Sequence, residues 1–249
     1  MEGPILHVER LTKNFGGLAA LSQVTLEIQR GEVVGIIGPN GAGKTTLFNL
    51  ISGFLRPDSG NIVFRGESIA HKKPQEIVAR GIARTFQIPR PFHNLKVVEN
   101  VAVPLIVTKR RKGSGVSKLE IAHALLERVG LGGKKFMKAG DLSEGDLKRL
   151  ELAKALATEP ELVLLDEPFS GLSSTEIEGL VPLIRELSEQ GTTVLIVEHK
   201  LRELMKLVRR VVVLNFGQKI ADGRPEEIAA DKVVIEAYLG AGGAALVLS

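Results

Sequence analysis

The run GPNGAGKTT at positions 38 to 46 follows the apolar stretch Val33 to Ile37 and precedes Leu47, Phe48 and Leu50, the order of a strand, a glycine-rich loop and a helix. The pattern GxxxxGK[ST] is met by Gly38, Gly43, Lys44 and Thr45. At this spacing successive backbone N–H groups, from Asn40, Gly41, Ala42 and Gly43 through Thr46, curl around a phosphate while the lysine reaches the β/γ oxygens. The Thr45 hydroxyl is then a candidate ligand for Mg²⁺. A loop launched from a buried strand and caught by a helix points to an α/β fold.

The rest of the chain fits that frame. Short, nearly unbroken apolar runs rich in β-branched residues recur at Leu162 to Leu165, Val194 to Val197 and Val211 to Leu214. Such runs are strands of a mainly parallel sheet buried on both faces, and helices on both faces are the expected cover. Ile177, Leu180, Val181, Ile184 and Leu187 repeat at helical spacing before Gly191, a helix stop. Ile5, Val8, Leu11, Val24, Leu26 and Ile28, like Ile62 to Phe64, lie in alternating or mixed runs, which reads as antiparallel strands flanking the core. From Pro89 to about Ala157 helical patterns dominate, with a flexible break expected at Gly113, Ser114 and Gly115.

At 249 residues the chain has room for one large α/β core, or a core with a small subdomain. The absence of cysteine excludes disulfides and thiolate-bound metals. No apolar run reaches the roughly 18 residues that cross a bilayer, and MEGPILHVER lacks a signal-peptide core, so a cytosolic chain is expected. Net charge is +4, with one basic cluster, Lys109, Arg110, Arg111 and Lys112, read as a solvated loop rather than a nucleic-acid or lipid contact.

A second half-site is indicated by position. Asp166 and Glu167 stand where the Leu162 to Leu165 strand ends, the place at which open α/β sheets bind ligands. Asp166 is the candidate metal carboxylate and Glu167 the candidate general base for an attacking water. His199 comes just after another strand end and is placed to contact a γ-phosphate and hold the water and base in register. Gln87, where the core gives way to the helical region, is a candidate metal ligand through its carbonyl oxygen.

Taken together, these pieces resemble the ATP-binding cassette, the nucleotide-binding subunit of ABC transporters, over essentially the whole chain. Phe15 in KNFGGLAAL matches the aromatic that stacks on adenine, GPNGAGKTT the Walker A loop and Gln87 the Q-loop. LSEGD, Leu142 to Asp146, sits at the signature motif, LVLLDEP is Walker B, SGLS from Ser170 to Ser173 is the D-loop, and His199 is the switch histidine. The resemblance implies a P-loop NTPase, RecA-like core with an N-terminal antiparallel β subdomain and an inserted helical signature subdomain. Within one domain, 1–87 and 158–225 form the nucleotide core, 88–157 the helical subdomain, and 226–249 a C-terminal helix and tail. It also implies ATP and Mg²⁺, with Ser143 and Gly145 contacting the ATP of a second cassette in a head-to-tail dimer. Ser143 and Asp146 have capping-box spacing at the start of that helix.

The signature departs from the common LSGGQ: Glu144 replaces the first glycine and Asp146 the glutamine. Both add negative charge where a phosphate is to bind, which predicts weaker closure unless the carboxylates are directed elsewhere. Ser173 stands where related cassettes often carry Asp or Asn.

The stretches GIARTFQIPRPFHNLKVVENV from Gly81, VEHK around His199 and GQKIADGRPEEIAADKVVIEAYLG narrow the resemblance to the cassettes of branched-chain amino-acid importers. It implies transmembrane permease partners that receive the segment Pro89 to Val103, a second cassette, identical or paralogous, and an external solute-binding protein reached indirectly. It also implies a peripheral place on the cytoplasmic face of the membrane and no nucleic acid. Cassettes of the lipopolysaccharide-transport exporter, of urea or amide importers, and of soluble DNA- or ribosome-acting ATPases share parts of the pattern.

Overall fold

The computed structural model describes residues 3–107 and 117–239. The basic cluster at 109–112, the break at 113–115 and the tail at 240–249 lie outside the described residues. The chain opens with a hairpin, β1 (Leu6–Phe15) and β2 (Leu18–Ile28), followed by β3 (Val33–Ile37), α1 (Lys44–Ile51), β4 (Ser59–Phe64), β5 (Glu67–Ser68), α2 (Pro74–Arg80) and β6 (Ile82–Arg84). The helical stretch comprises α3 (Val97–Ala102), α4 (Pro104–Val107), α5 (Lys118–Arg128) and α6 (Glu144–Leu156), with short 3₁₀ turns at Gly132–Lys134 and Ala139–Asp141. Then come β7 (Leu162–Asp166), α7 (Ser174–Glu189), β8 (Thr193–Val197), α8 (Leu201–Leu207), β9 (Arg210–Asn215), β10 (Gln218–Gly223), α9 (Pro225–Ala230) and α10 (Lys232–Leu239).

The strands form two sheets. The first, in order β2-β1-β4-β5, is antiparallel. Its register sets Ile28, Leu6 and Phe64 in one cross-strand row and Leu26, Val8 and Ile62 in the next, so each row is a stripe of apolar side chains on one face. The second runs β10-β9-β3-β8-β7-β6 and is parallel except for the β9–β10 pair.

Alternation along the parallel strands divides the core. Val33 and Ile37 of β3, Val163 and Leu165 of β7, and Val194 and Ile196 of β8 face a cluster completed by Leu150 and Leu152 of α6, Leu180 and Ile184 of α7 and Leu204 of α8. Val34, Ile36, Leu162, Leu164, Leu195 and Val197 face the other way, against Leu47, Phe48 and Ile51 of α1 and the inward row of the antiparallel sheet. The strands are buried on both sides as expected, yet helices supply most of the cover on one face only. On the other, the β1–β2–β4 layer takes that place, because its alternating residues already present a continuous apolar stripe. Burial of one such aliphatic side chain stabilises by about 1.5–3 kcal/mol.

Candidate nucleotide site

Parallel register brings the carboxyl ends of the central strands to one edge. Ile36 of β3 pairs with Val197 of β8, Val197 with Asp166 of β7, and Arg84 of β6 with Leu164 of β7. Just beyond these rungs stand Gly38, His199, Glu167 and Gln87, which therefore arrive at the same place from four separate parts of the chain.

The loop after β3 folds as its glycines dictate. Gly38 has φ 152° and Gly43 φ 102°. A Cβ at Gly38 would lie 2.0 Å from the Leu214 carbonyl oxygen, and one at Gly43 would lie 2.5 Å from that of Ala20. Gly43 is also the N-cap of α1 and offers no side-chain cap, and the first turn of α1 holds no acidic residue. The leading N–H groups of α1 thus point outward with neither an internal acceptor nor a competing carboxylate, the arrangement that receives an anion. Lys44 is buried, and its ammonium donates to the carbonyls of Gly38 (2.6 Å) and Pro39 (2.9 Å). Burial pushes its pKa down, while Glu167 and Asp166 pull it back up. Asn40, Gly41 and Thr45 are exposed, Gly43 and Thr46 half-buried, and Ala42 buried, its carbonyl accepting from Gly217 N.

Glu167 is the meeting point of the other three elements. Gln87 Nε2 donates to Glu167 Oε2 at 2.8 Å, and His199 Nε2 lies 3.1 Å from Glu167 Oε1. The Glu167 backbone has φ 48°, a left-handed conformation that a residue with a Cβ adopts only when its surroundings impose it. Its N–H donates to Val197 O at 2.9 Å. The carboxylate is therefore held from both sides, with its side chain 15% exposed.

Asp166 Oδ2 accepts from Arg84 Nη2 at 2.7 Å, with both side chains 7% exposed. Arg84 also donates to Asn49 Oδ1 (2.7 Å) of α1 and to Ser52 Oγ (3.0 Å) just after it, and its guanidinium lies 5.3–5.8 Å from the ring centres of Phe48, Phe54 and Phe86. The oxygens of Thr45, Asp166 and the Gln87 amide form a hard donor set suited to Mg²⁺. Among the described residues no group of three or more acidic or histidine side chains makes a metal cage by itself. Phe15 ends β1, 49% exposed, with Lys13 Nζ 5.7 Å from its ring centre.

The signature residues stand apart from this cluster. Ser143 caps α6, its hydroxyl accepting from Asp146 N at 3.2 Å. The box expected from Ser143 and Asp146 is only half formed, because the Asp146 carboxylate is paired with Lys134 instead of returning to the N-cap backbone. The Glu144 carboxyl packs over Gly171 of the SGLS segment. Gly145 is buried against Glu176, whose carboxylate a Cβ there would strike at 2.3 Å. The Asp146 carboxylate is thus taken up by a neighbour within the chain, while Glu144 is exposed and lies over Gly171. Ser173 heads α7 in a complete capping box with Glu176, a position that Asp or Asn would fill equally well.

Three residues of the site escape a reading by motif: Arg84, Lys148 and Glu198. Glu198 is 2% exposed and accepts from the N–H groups of Phe169 (2.5 Å), His199 (2.9 Å) and Lys200 (3.2 Å), fixing the turn that carries His199 against the one after Glu167. Burial holds its pKa above the usual carboxylate range against the pull of those three donors. Lys148 is buried on α6 and donates to the carbonyls of Gln87 and Glu167. Arg84 and Glu198 are charges at the edges of apolar strands, and that misplacement is the signal that could have marked them; Lys148, among the charged residues of EGDLKRLELAK, carries no such signal. At the far side of the loop, Tyr238 of α10 meets the Gly38 backbone, and its burial pushes the phenol pKa up to about 12.

A family model described as ABC transporter matches residues 21–170, and one described as branched-chain amino acid ATP-binding cassette transporter matches residues 218–244. The high-affinity branched-chain amino acid transport ATP-binding protein LivG of Salmonella typhimurium is 40% identical, over 96% of this chain and 99% of its own length. Among solved structures, the ADP conformation of MJ1267, an ATP-binding cassette of an ABC transporter, superposes with a TM-score of 0.86 at 35% identity, covering 95% of this chain and 99% of that one. A dimeric post-hydrolysis state of the cassette MJ0796, bound to ADP and Pi, gives a TM-score of 0.80 at 29% identity, covering 88% of this chain and 98% of that one.

Proposed function

The chain belongs to the ATP-binding cassettes of ABC transporters, and on that basis we propose that it hydrolyses ATP to power uptake of branched-chain amino acids. The single observation that carries the catalytic part is Glu167 clasped between Gln87 and His199 at the mouth of the phosphate loop. The match at residues 218–244 and the LivG relative support branched-chain amino acids as cargo over the exporter and soluble-ATPase alternatives.

In this reading the adenine stacks on Phe15 and the phosphates lie on the N–H groups from Asn40 to Thr46, with Lys44 leaving the carbonyls of Gly38 and Pro39 for the β/γ oxygens. Thr45, Gln87 and Asp166 hold Mg²⁺, which when bound neutralises phosphate charge. Glu167 accepts the proton of the attacking water, a role worth about 10²–10⁴-fold in rate. His199 and Gln87 fix the orientation of that carboxylate.

Ser143 and Gly145 serve the nucleotide of a second cassette, and a copy of this chain suffices for that partner. The dimeric MJ0796 structure supports the arrangement. ATP is then a shared anion whose loss on hydrolysis lets the halves part. Residues 88–157 act as the helical subdomain between core segments 1–87 and 158–225, with 226–249 as the C-terminal helix and tail. Exposed Ile88, Phe92 and Leu95 offer apolar surface to a permease. The solute-binding protein acts through that permease, from the opposite side of the membrane to this peripheral cytoplasmic subunit. No helix among the described residues is long and apolar enough to cross a membrane.

The test is reconstitution with a branched-chain amino-acid permease pair in vesicles. ATP-dependent leucine entry that disappears with Lys44→Ala is expected, whereas ATP turnover without leucine movement would refute the assigned cargo.

A further inference from the structure

Lys148 is a buried cation to which the proposed function assigns no role. The residue is 6% exposed in the middle of the molecule, on the helix that begins at the signature motif. Burying an ammonium is costly unless its donors are satisfied and charge of opposite sign is close by. The second condition is met, and the first for two of its three N–H groups. Its Nζ donates to the backbone carbonyls of Gln87 and Glu167, the latter at 3.2 Å. Desolvation lowers its pKa, while the carboxylates of Glu144, Glu198, Glu167 and Asp166 raise it.

The identity of the two carbonyls matters. They belong to the same two residues whose side chains hydrogen-bond to each other, Gln87 Nε2 to Glu167 Oε2 at 2.8 Å. One ammonium therefore closes a ring: Lys148 to the Gln87 backbone, Gln87 side chain to Glu167 side chain, and Glu167 backbone to Lys148. The Glu167 backbone is in the left-handed region at φ 48°, so its direction depends on its clamps. Those clamps are Val197 O on its N–H (2.9 Å), and Ser170 N (3.2 Å) and Lys148 on its carbonyl. Ser170 is part of the loop immediately downstream. Lys148 is the clamp that comes from α6.

We propose that Lys148 is a positioning residue that ties the aim of the Glu167 carboxylate to α6, the helix whose first turn carries Ser143 and Gly145. A shift of α6 when a second cassette engages Ser143 then moves the Gln87 and Glu167 backbones with it. The arrangement of the water-activating group in one half of the dimer thereby depends on contact with the nucleotide of the other half. This inference rests on the reading of Glu167 as the base.

The test compares Lys148→Met, which keeps the apolar stem but removes the donors, with Lys148→Arg, which restores charge and donors. Steady-state ATP turnover of the full chain, affinity for a fluorescent N-methylanthraniloyl ATP and thermal unfolding are measured on each. Misplacing a reacting group by about 1 Å costs roughly 100-fold. Lys148→Met is therefore expected to lose about 10- to 100-fold in kcat with KM and nucleotide affinity within about threefold of the parent, and Lys148→Arg to recover most of the loss. If the Met variant does not fold, Lys148→Gln, which keeps an N–H donor, is read by the same split. An unchanged kcat, a parallel fall of kcat and affinity, or an Arg variant as poor as the Met variant would overturn the proposal. A parent chain that binds ATP but never hydrolyses it would overturn instead the assignment of hydrolysis on which the proposal stands.

Discussion

In the proposed function the carboxyl ends of β3, β6, β7 and β8 and the amino end of α6 both serve a phosphate, but they are built in opposite ways. At the strand ends the parts already touch: Gln87, Glu167 and His199 lie within 3.1 Å of one another in the pairs that matter, and Lys44 waits on the carbonyls of its own loop. At α6 the parts are supported from behind. Ser143 caps its own helix, Asp146 is drawn to Lys134, and Glu144 lies over Gly171. On that reading the chain holds one catalytic half-site, assembled within itself, and one docking half-site. Parallel register, rigid and local to a single sheet, builds the first. The second gains meaning only from another cassette.

The comparison is broken most severely by changes at the strand ends. Glu167→Gln is expected to slow phosphate release by about 10²–10⁴-fold while nucleotide binding persists, as read by turnover and equilibrium binding on the same sample. A loss under tenfold would remove Glu167 from the base role. Lys44→Ala should cost about 10²–10³-fold in turnover and weaken nucleotide binding as well, since the loop then lacks its buried cation. Changes at α6 should be smaller and of another kind. Ser143→Ala removes the hydroxyl proposed to reach the nucleotide of the other cassette, a hydrogen bond to charge worth about 1.5 kcal/mol or more, so ATP-driven association should fall roughly tenfold while nucleotide affinity of the single chain stays put, measured by sedimentation at graded concentrations. The least effect belongs to Lys134→Ala, which releases Asp146 toward the helix end. Loss of a half-exposed pair costs under about 1 kcal/mol of stability, but the freed carboxylate should weaken association in low salt and not in high. An effect on single-chain nucleotide affinity from either α6 variant would blur the distinction between the halves.

Much of the catalytic half was legible because its signals are contiguous. GPNGAGKTT, the apolar run into Asp166 and Glu167, and the run into His199 each spell out a buried strand and, within a few residues of its end, the polar groups it delivers. Alternation in β1, β2 and β4 likewise revealed the antiparallel layer. The hidden part depends on partners far along the chain. Arg84 reaches Asp166 across 82 positions, Lys148 reaches Gln87 across 61, and Glu198 reaches Phe169 across 29. Local spacing says nothing of such pairs. The capping box at Ser143 misled for the same reason: its spacing was right, but a cation at Lys134, brought near by the 3₁₀ turn before α6, outcompeted the N-cap backbone for Asp146. The cover of the parallel sheet was misjudged on one face because runs of buried strand residues do not state whether a helix or another sheet lies above them.

The division into a catalytic half-site and a docking half-site is tested most directly by light scattering of Glu167→Gln with saturating ATP in the presence and absence of Mg²⁺, with bound nucleotide quantified in the same sample. The expected mass doubles with Mg·ATP and returns to that of one chain with ADP. A single-chain mass with nucleotide fully bound would contradict it, because the signature face of this chain would then not close on the nucleotide of its own copy.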